Sequence, residues 1–176
     1  MAAYDDTGHV IYLRSLTKSV SPAVRMGAAI ARGPVRDRLL ADLGAESMYV
    51  SSLLKSAALE VVLQPAWRSH LRRLRGDLRE RRDLLLGSVR EHVPHASVTR
   101  VPRGGLNLWL RLADEVDLER LVRDCESEGV MIAAGTEWFP AEPVGSFLRL
   151  NYAGPDPARF PDGARIIGET LEKQRG

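Results

Sequence analysis

Residues 9–14, "HVIYLR", are rich in β-branched and aromatic types and follow the turn signal "DDTG". They predict a strand. A second short apolar run, "RMGAAIA" at 25–31, predicts another. Gly33 and Pro34 then open a helix over 34–43, because proline is tolerated in a first helical turn, and Gly44 is placed to close it. Residues 49–63, "YVSSLLKSAALEVVL", are apolar on most faces, which predicts a buried helix. Pro65 interrupts the pattern. From 66 to 93 a long amphipathic period follows, with Trp67, Leu71, Leu74, Leu78, Leu84, Leu85, Leu86 and Val89 on one side and arginines on the other. A helix of that length spans about 42 Å and is long enough to link two packed bodies.

The second half changes pattern. "ASVTRV" at 96–101 predicts a strand, and a glycine turn at 104–105 leads into a strand at 106–112. There Leu106, Leu108, Leu110 and Leu112 alternate with other residues, the period of a sheet with one buried face. Residues 117–129 predict a helix closed by Gly129. Short strands follow at 130–135 and 146–153, and a terminal helix at 162–174. Strands and helices in this order predict a small α+β layer structure. Residues 1–64 offer two strands and then helices, too few strands for a sheet of their own. The chain therefore divides into 1–64, the tail of a larger α/β domain, a linking helix at 65–93, and a small α+β domain at 94–176.

Charge matters mainly at the long helix. Its run "LRRLRGDLRERRD" has the look of a nucleic-acid stripe, but Asp77, Glu80, Asp83 and Glu91 are interspersed. The whole chain carries 25 basic and 23 acidic residues, a net +2. This balance predicts a solvated helix face and no direct DNA binding by the chain. The single cysteine, Cys125, excludes an internal disulfide framework. No apolar run approaches a membrane span, and no signal peptide is visible, so a cytoplasmic location is expected. The four histidines have no metal-ligand spacing, and no metal is expected.

The chemistry concentrates in "IYLRSLTKSVSPAVRMG", residues 11–27, where two cations stand in a short link between two apolar strands. Lys18 is flanked by Ser15, Thr17, Ser19 and Ser21, and Arg25 follows just before the second strand. Hydroxyls and a guanidinium suit a phosphate dianion. A lysine amine beside them suits capture of an aldehyde as a Schiff base. A pyridoxal phosphate site needs these parts together. A solvated lysine in a surface link is the plain alternative.

"YLRSLTKSVSPAVRMG" resembles the cofactor-lysine segment of class I/II aminotransferases, the fold type I pyridoxal-phosphate enzymes. "SLTKSVSPAVRMG" is especially similar to the aminotransferase-like domain of MocR regulators, a branch of the GntR family. "HLRRLRGDLRERRDLLL" looks like the interdomain helix of that family, and "PRGGLNLWLRL" like its small-domain hairpin. "FLRLNYA" is similar to its final strand. The resemblance implies a fold type I α/β architecture and pyridoxal 5'-phosphate as cofactor. It implies Lys18 as the Schiff-base lysine, Ser15 and Arg25 as phosphate contacts, and Arg149 as the receiver of an α-carboxylate. An amino acid or 2-oxo acid would be the ligand, and the complete protein would be a homodimer.

The resemblance covers only the C-terminal part of the family pattern. The aspartate that pairs with the pyridine nitrogen, the stacking aromatic residue and the winged helix-turn-helix of a complete MocR regulator have no match here. The chain thus reads as a fragment, expected to hold the cofactor weakly or not at all when alone. Arg14 stands where the family often has glycine, and Lys55 with Ser56 where a glutamine is usual. Three functions stay open: amino-group transfer, ligand sensing by a regulator's cofactor domain, and an inactive remnant. Asn107 and Trp109 are candidates to face the cleft, Arg103 with Gly104 and Gly105 to shape a loop beside it, and Tyr49 to reach a partner subunit's site.

Overall fold

A computed structural model describes residues 4–46 and 50–175 of the chain. It separates into two compact units, Met1–Leu74 and Arg75–Gly176. Tyr49 lies outside the described residues.

In the first unit, β1 (Tyr12–Ser15) and β2 (Gly27–Ile30) form an antiparallel hairpin, with Tyr12 opposite Ile30 and Ser15 opposite Gly27. The strand expected from residue 9 begins at Tyr12. Upstream, the Asp5 carboxylate accepts the N–H groups of His9 and Val10 at 3.0 and 2.8 Å, so those donors close a turn and are spent before the ladder starts. These bonds, from Val10 first and then His9, hold the Asp5 carboxyl below its ordinary pKa. At Gly27 an added Cβ would meet the Arg14 carbonyl oxygen at 2.8 Å. The close strand approach is why glycine stands there.

The helix α1 (Gly33–Glu46) carries Pro34 in its first turn as expected, but it runs through Gly44, which does not close it. One glycine costs a helix about 1 kcal/mol relative to alanine, and cost alone does not end it. The helix α2 (Ser52–Leu63) departs further from expectation. Only Ala58 is buried; Leu53, Leu59 and Leu63 are exposed. Apolar composition on every face is present, yet those faces meet no covering element among the described residues. The long helix α3 spans Trp67–His92, within a residue of the expected limits, and the division between the units falls inside it.

The second unit is built on a three-stranded antiparallel sheet of β3 (Asn107–Arg111), β4 (Ala133–Ala134) and β5 (Phe147–Asn151), in the order β3-β5-β4. Leu108 faces Leu150 and Leu110 faces Leu148 across the ladder. Leu108, Leu110 and Leu148 are fully buried, so the leucine alternation does define the core face. Against it pack Leu85, Leu86 and Val89 of α3, Leu121 and Cys125 of α4 (Leu118–Ser127), and Ala164, Ile167 and Leu171 of α5 (Phe160–Arg175). Asp117 caps α4 by accepting the Arg120 N–H at 2.9 Å, and Gly129, at φ 79°, follows its end. A side chain at Gly168 would overlap the His92 carbonyl oxygen, so the close approach of α5 to the end of α3 requires glycine there.

The strand expected at 96–101 is reduced to one bridge between Ser97 and Arg111. Arg82 donates to the Pro102 carbonyl at 2.8 Å and draws the end of that segment to α3 rather than to the sheet. The strand expected at 130–135 is likewise only the two residues of β4.

Candidate functional site

The β1–β2 ladder continues for one more bond, from the Leu16 N–H to the Met26 carbonyl at 3.0 Å. Beyond it the chain makes a closed turn around Lys18. The Leu16 carbonyl accepts from the N–H groups of Ser19 and Val20 at 3.2 and 2.8 Å. Thr17 Oγ1 donates to the Val24 carbonyl at 2.7 Å, and Ser19 Oγ to the Ser15 carbonyl at 3.2 Å. Ser21 Oγ accepts the Ala23 N–H at 3.2 Å. Thr17 and Ser19 therefore spend their protons on the loop itself, and a phosphate cradle of all four hydroxyls does not form. Ser15 stands at the strand end, and Arg25 immediately before Met26 at the opposite end of the loop. Lys18, Ser15 and Arg25 are all solvent-exposed. Among the described residues neither cation is in an ion pair.

One loop and its strand ends thus carry an amine, a hydroxyl and a guanidinium. That donor set fits a ligand that combines a phosphate with an aldehyde. Arg14 is not part of it: its guanidinium lies 5.7 Å from the centre of the Tyr12 ring, over the strand.

Arg149 belongs to the second unit. It sits on β5, the central strand, between Trp109 on β3 and Ala133 on β4. Leu148 and Leu150 point into the core, so Arg149 stands on the opposite face, half-buried. Its guanidinium carbon lies 3.8 Å from the centre of the Trp138 ring. Trp109 and Phe147 stack beside it with centroids 5.2 Å apart, and Phe139 tilts against both. Gly135 permits this packing, because an added Cβ would meet the Trp109 ring at 2.7 Å. Asn107 lies on the same sheet face, with its Oδ1 buried and without a hydrogen-bond partner among the described residues. Gly105, at φ 94°, turns the chain into β3.

Sequence reasoning did not single out Trp138. Its signal was an aromatic residue in the turn "GTEWFP", where burial in a strand or helix does not explain it. Cys125 is buried, and burial pushes its thiol pKa up, away from reactivity. Among the described residues no three His, Cys, Asp or Glu side chains are grouped to hold a metal ion, and no helix is long and apolar enough to cross a membrane.

No family model matches the chain. Individual proteins do. The chain is 31% identical over 150 residues to the HTH-type transcriptional regulator YdfD of Bacillus subtilis, covering 85% of this chain and 30% of that protein. It is 27% identical over 163 residues to the 2-aminoadipate transaminase of Thermus thermophilus, covering 93% of this chain and 41% of that one. The crystal structure of LysN, the α-aminoadipate aminotransferase of Thermus thermophilus complexed with N-(5'-phosphopyridoxyl)-L-leucine, superposes with a TM-score of 0.88 at 26% identity. That match covers 98% of this chain and 44% of LysN. The chain spans less than half the length of these relatives.

The architecture is that of a fold type I pyridoxal-phosphate-dependent transferase, over its C-terminal portion. The chain has an aminotransferase-like fold of this kind, and its sequence is similar to part of HTH-type transcriptional regulators.

Proposed function

We propose that the chain carries the lysine-bearing and carboxylate-binding residues of a pyridoxal-phosphate site that takes an amino acid or 2-oxo acid. The observation that carries this reading is that one hairpin loop bears Ser15, Lys18 and Arg25 within a fold shared with LysN. Pyridoxal phosphate, when bound, supplies an electron sink for bonds at the α-carbon of an amino acid. The chain's own residues do the rest. Lys18 Nζ would hold the group's aldehyde carbon and would serve as the general base for the α-proton. Arg25 and Ser15 neutralise and hold the phosphate. Arg149 orients the carboxylate through the planar fork of its guanidinium. Membership of a longer, homodimeric, cytoplasmic protein is part of the same proposal.

The domain serves amino-group transfer in an enzyme or amino-acid sensing in a regulator. The identity to YdfD and to a second HTH-type regulator, YjiR of Escherichia coli at 28%, favours sensing. Borohydride reduction in the presence of pyridoxal phosphate tests the site. Arg25→Ala and Ser15→Ala should raise the cofactor concentration needed to label Lys18, while pyridoxal without phosphate should label all three proteins alike. Equal phosphate dependence in the two variants and the parent would refute the assignment. Incubation with an amino acid and a 2-oxo acid separates the two uses: exchange of the amino group supports the enzyme, and binding without exchange supports the sensor.

A further inference from the structure

A side-chain hydrogen bond fastens the loop that carries Lys18 to a helix. His70, in the first turn of α3, places Nε2 2.7 Å from the carbonyl oxygen of Ser19, 51 positions away in sequence. A carbonyl oxygen only accepts, so Nε2 holds the proton and donates it. The ring also stacks on Trp67, with centroids 5.5 Å apart and 25° between the planes, which limits its rotation.

Ser19 directly follows Lys18. Its N–H is already bonded to the Leu16 carbonyl within the loop, and its C=O is taken by His70. The internal bonds of Leu16, Thr17 and Val24 fix the shape of the turn. They do not tie it to α3, and the His70 bond does.

We propose that His70 is a positioning residue for Lys18, clamping the Ser19 carbonyl so that the turn at 16–20 presents the lysine amine in one orientation. The clamp stands on its own geometry. Its consequence for chemistry rests on the reading of Lys18 as the attachment point for pyridoxal phosphate.

Two substitutions separate the hydrogen bond from the ring. His70→Phe keeps the aromatic body against Trp67 and removes the donor. His70→Gln gives up the ring and keeps an N–H at nearly the position of Nε2. Two readouts apply to the whole chain. The first is amide hydrogen exchange at Ser19 and Val20, with α5 as the control for global unfolding. The second is the share of borohydride-trapped pyridoxyl label on Lys18 against Lys55 and Lys173, the other two lysines.

In His70→Phe, exchange at Ser19 and Val20 should rise roughly five-fold, the change in population that loss of one ordinary net hydrogen bond brings, and the Lys18 share of label should fall. His70→Gln should restore both. Unchanged exchange in His70→Phe overturns the clamp, and loosened exchange with an unchanged Lys18 share overturns the positioning role. If exchange in α5 also rises in His70→Phe, His70→Gln decides: protection and labelling like the parent's support the proposal, and loss of either overturns it. If the parent chain labels its three lysines alike, the cofactor reading of Lys18 fails, and the exchange comparison still decides the clamp.

Discussion

The Arg149 guanidinium carbon lies over the Trp138 ring, 3.8 Å from its centre. Stacking uses the flat face of the guanidinium and leaves its in-plane N–H groups to grip a carboxylate. Arg149→Ala should weaken amino-acid or 2-oxo-acid binding by roughly 1.5–3 kcal/mol, the range for a hydrogen bond to a charged group. Trp138→Ala keeps the charge and loses only its support, for a smaller loss of about 0.5–1 kcal/mol. Titration calorimetry of both variants measures the difference. Unchanged affinity in Arg149→Ala would remove the carboxylate assignment.

Gly168 touches the end of α3 so closely that no side chain fits beneath the His92 carbonyl oxygen. Backbone and helix must shift to admit a methyl group. Gly168→Ala should destabilise the second unit by about 1–3 kcal/mol, as overpacking does, despite the better helix propensity of alanine. Urea unfolding followed by circular dichroism reads this directly. Stability equal to or above the parent would show that the two helices separate freely.

Arg111 pairs with Asp114 at 2.7 Å. That bond first, and the Ser146 N–H second, hold the Asp114 carboxyl below its ordinary pKa. The unfolded chain therefore binds this proton more readily than the folded one. The pair's contribution is fully present above the ordinary carboxylate range and is lost as pH falls through the depressed value. Both groups reach solvent, so the effect is modest. Asp114→Asn should lower the urea midpoint slightly at neutral pH and give a shallower decline on acidification. A decline as steep as the parent's would assign the acid sensitivity elsewhere.

Leu108 and Leu59 put the legibility of burial to the test. Leu108 is 0% exposed and Leu59 57% exposed. Leu108→Ala should cost about 2–5 kcal/mol and Leu59→Ala within about 0.5 kcal/mol, measured by the same urea unfolding. Comparable losses would mean that α2 is covered in solution.

The leucine alternation of β3 was readable because period two marks one buried face whatever lies beyond it. The apolar run of α2 was not, because composition reports what a helix would bury and says nothing of what covers it. The segment at 96–101 has strand composition, but the Arg82 bond to Pro102 decides its course, and no local pattern foretells a contact from another element. The site divides in the same way. The face of Arg149 follows from its place between Leu148 and Leu150. The Trp138 support and the His70 bond arise only when distant segments meet. Four hydroxyls around Lys18 suggested a cradle, yet Thr17 and Ser19 turn to carbonyls that come within reach once the hairpin closes.

Lys18 is one of only three lysines in the chain, which allows a direct measurement of its role. The purified chain is incubated with pyridoxal phosphate, reduced with borohydride, digested and mapped by mass spectrometry. Label should concentrate on Lys18, above Lys55 and Lys173, and excess inorganic phosphate should erase that preference by competing for Arg25 and Ser15. Label spread evenly over the three lysines, or a Lys18 preference that phosphate leaves untouched, would contradict the account.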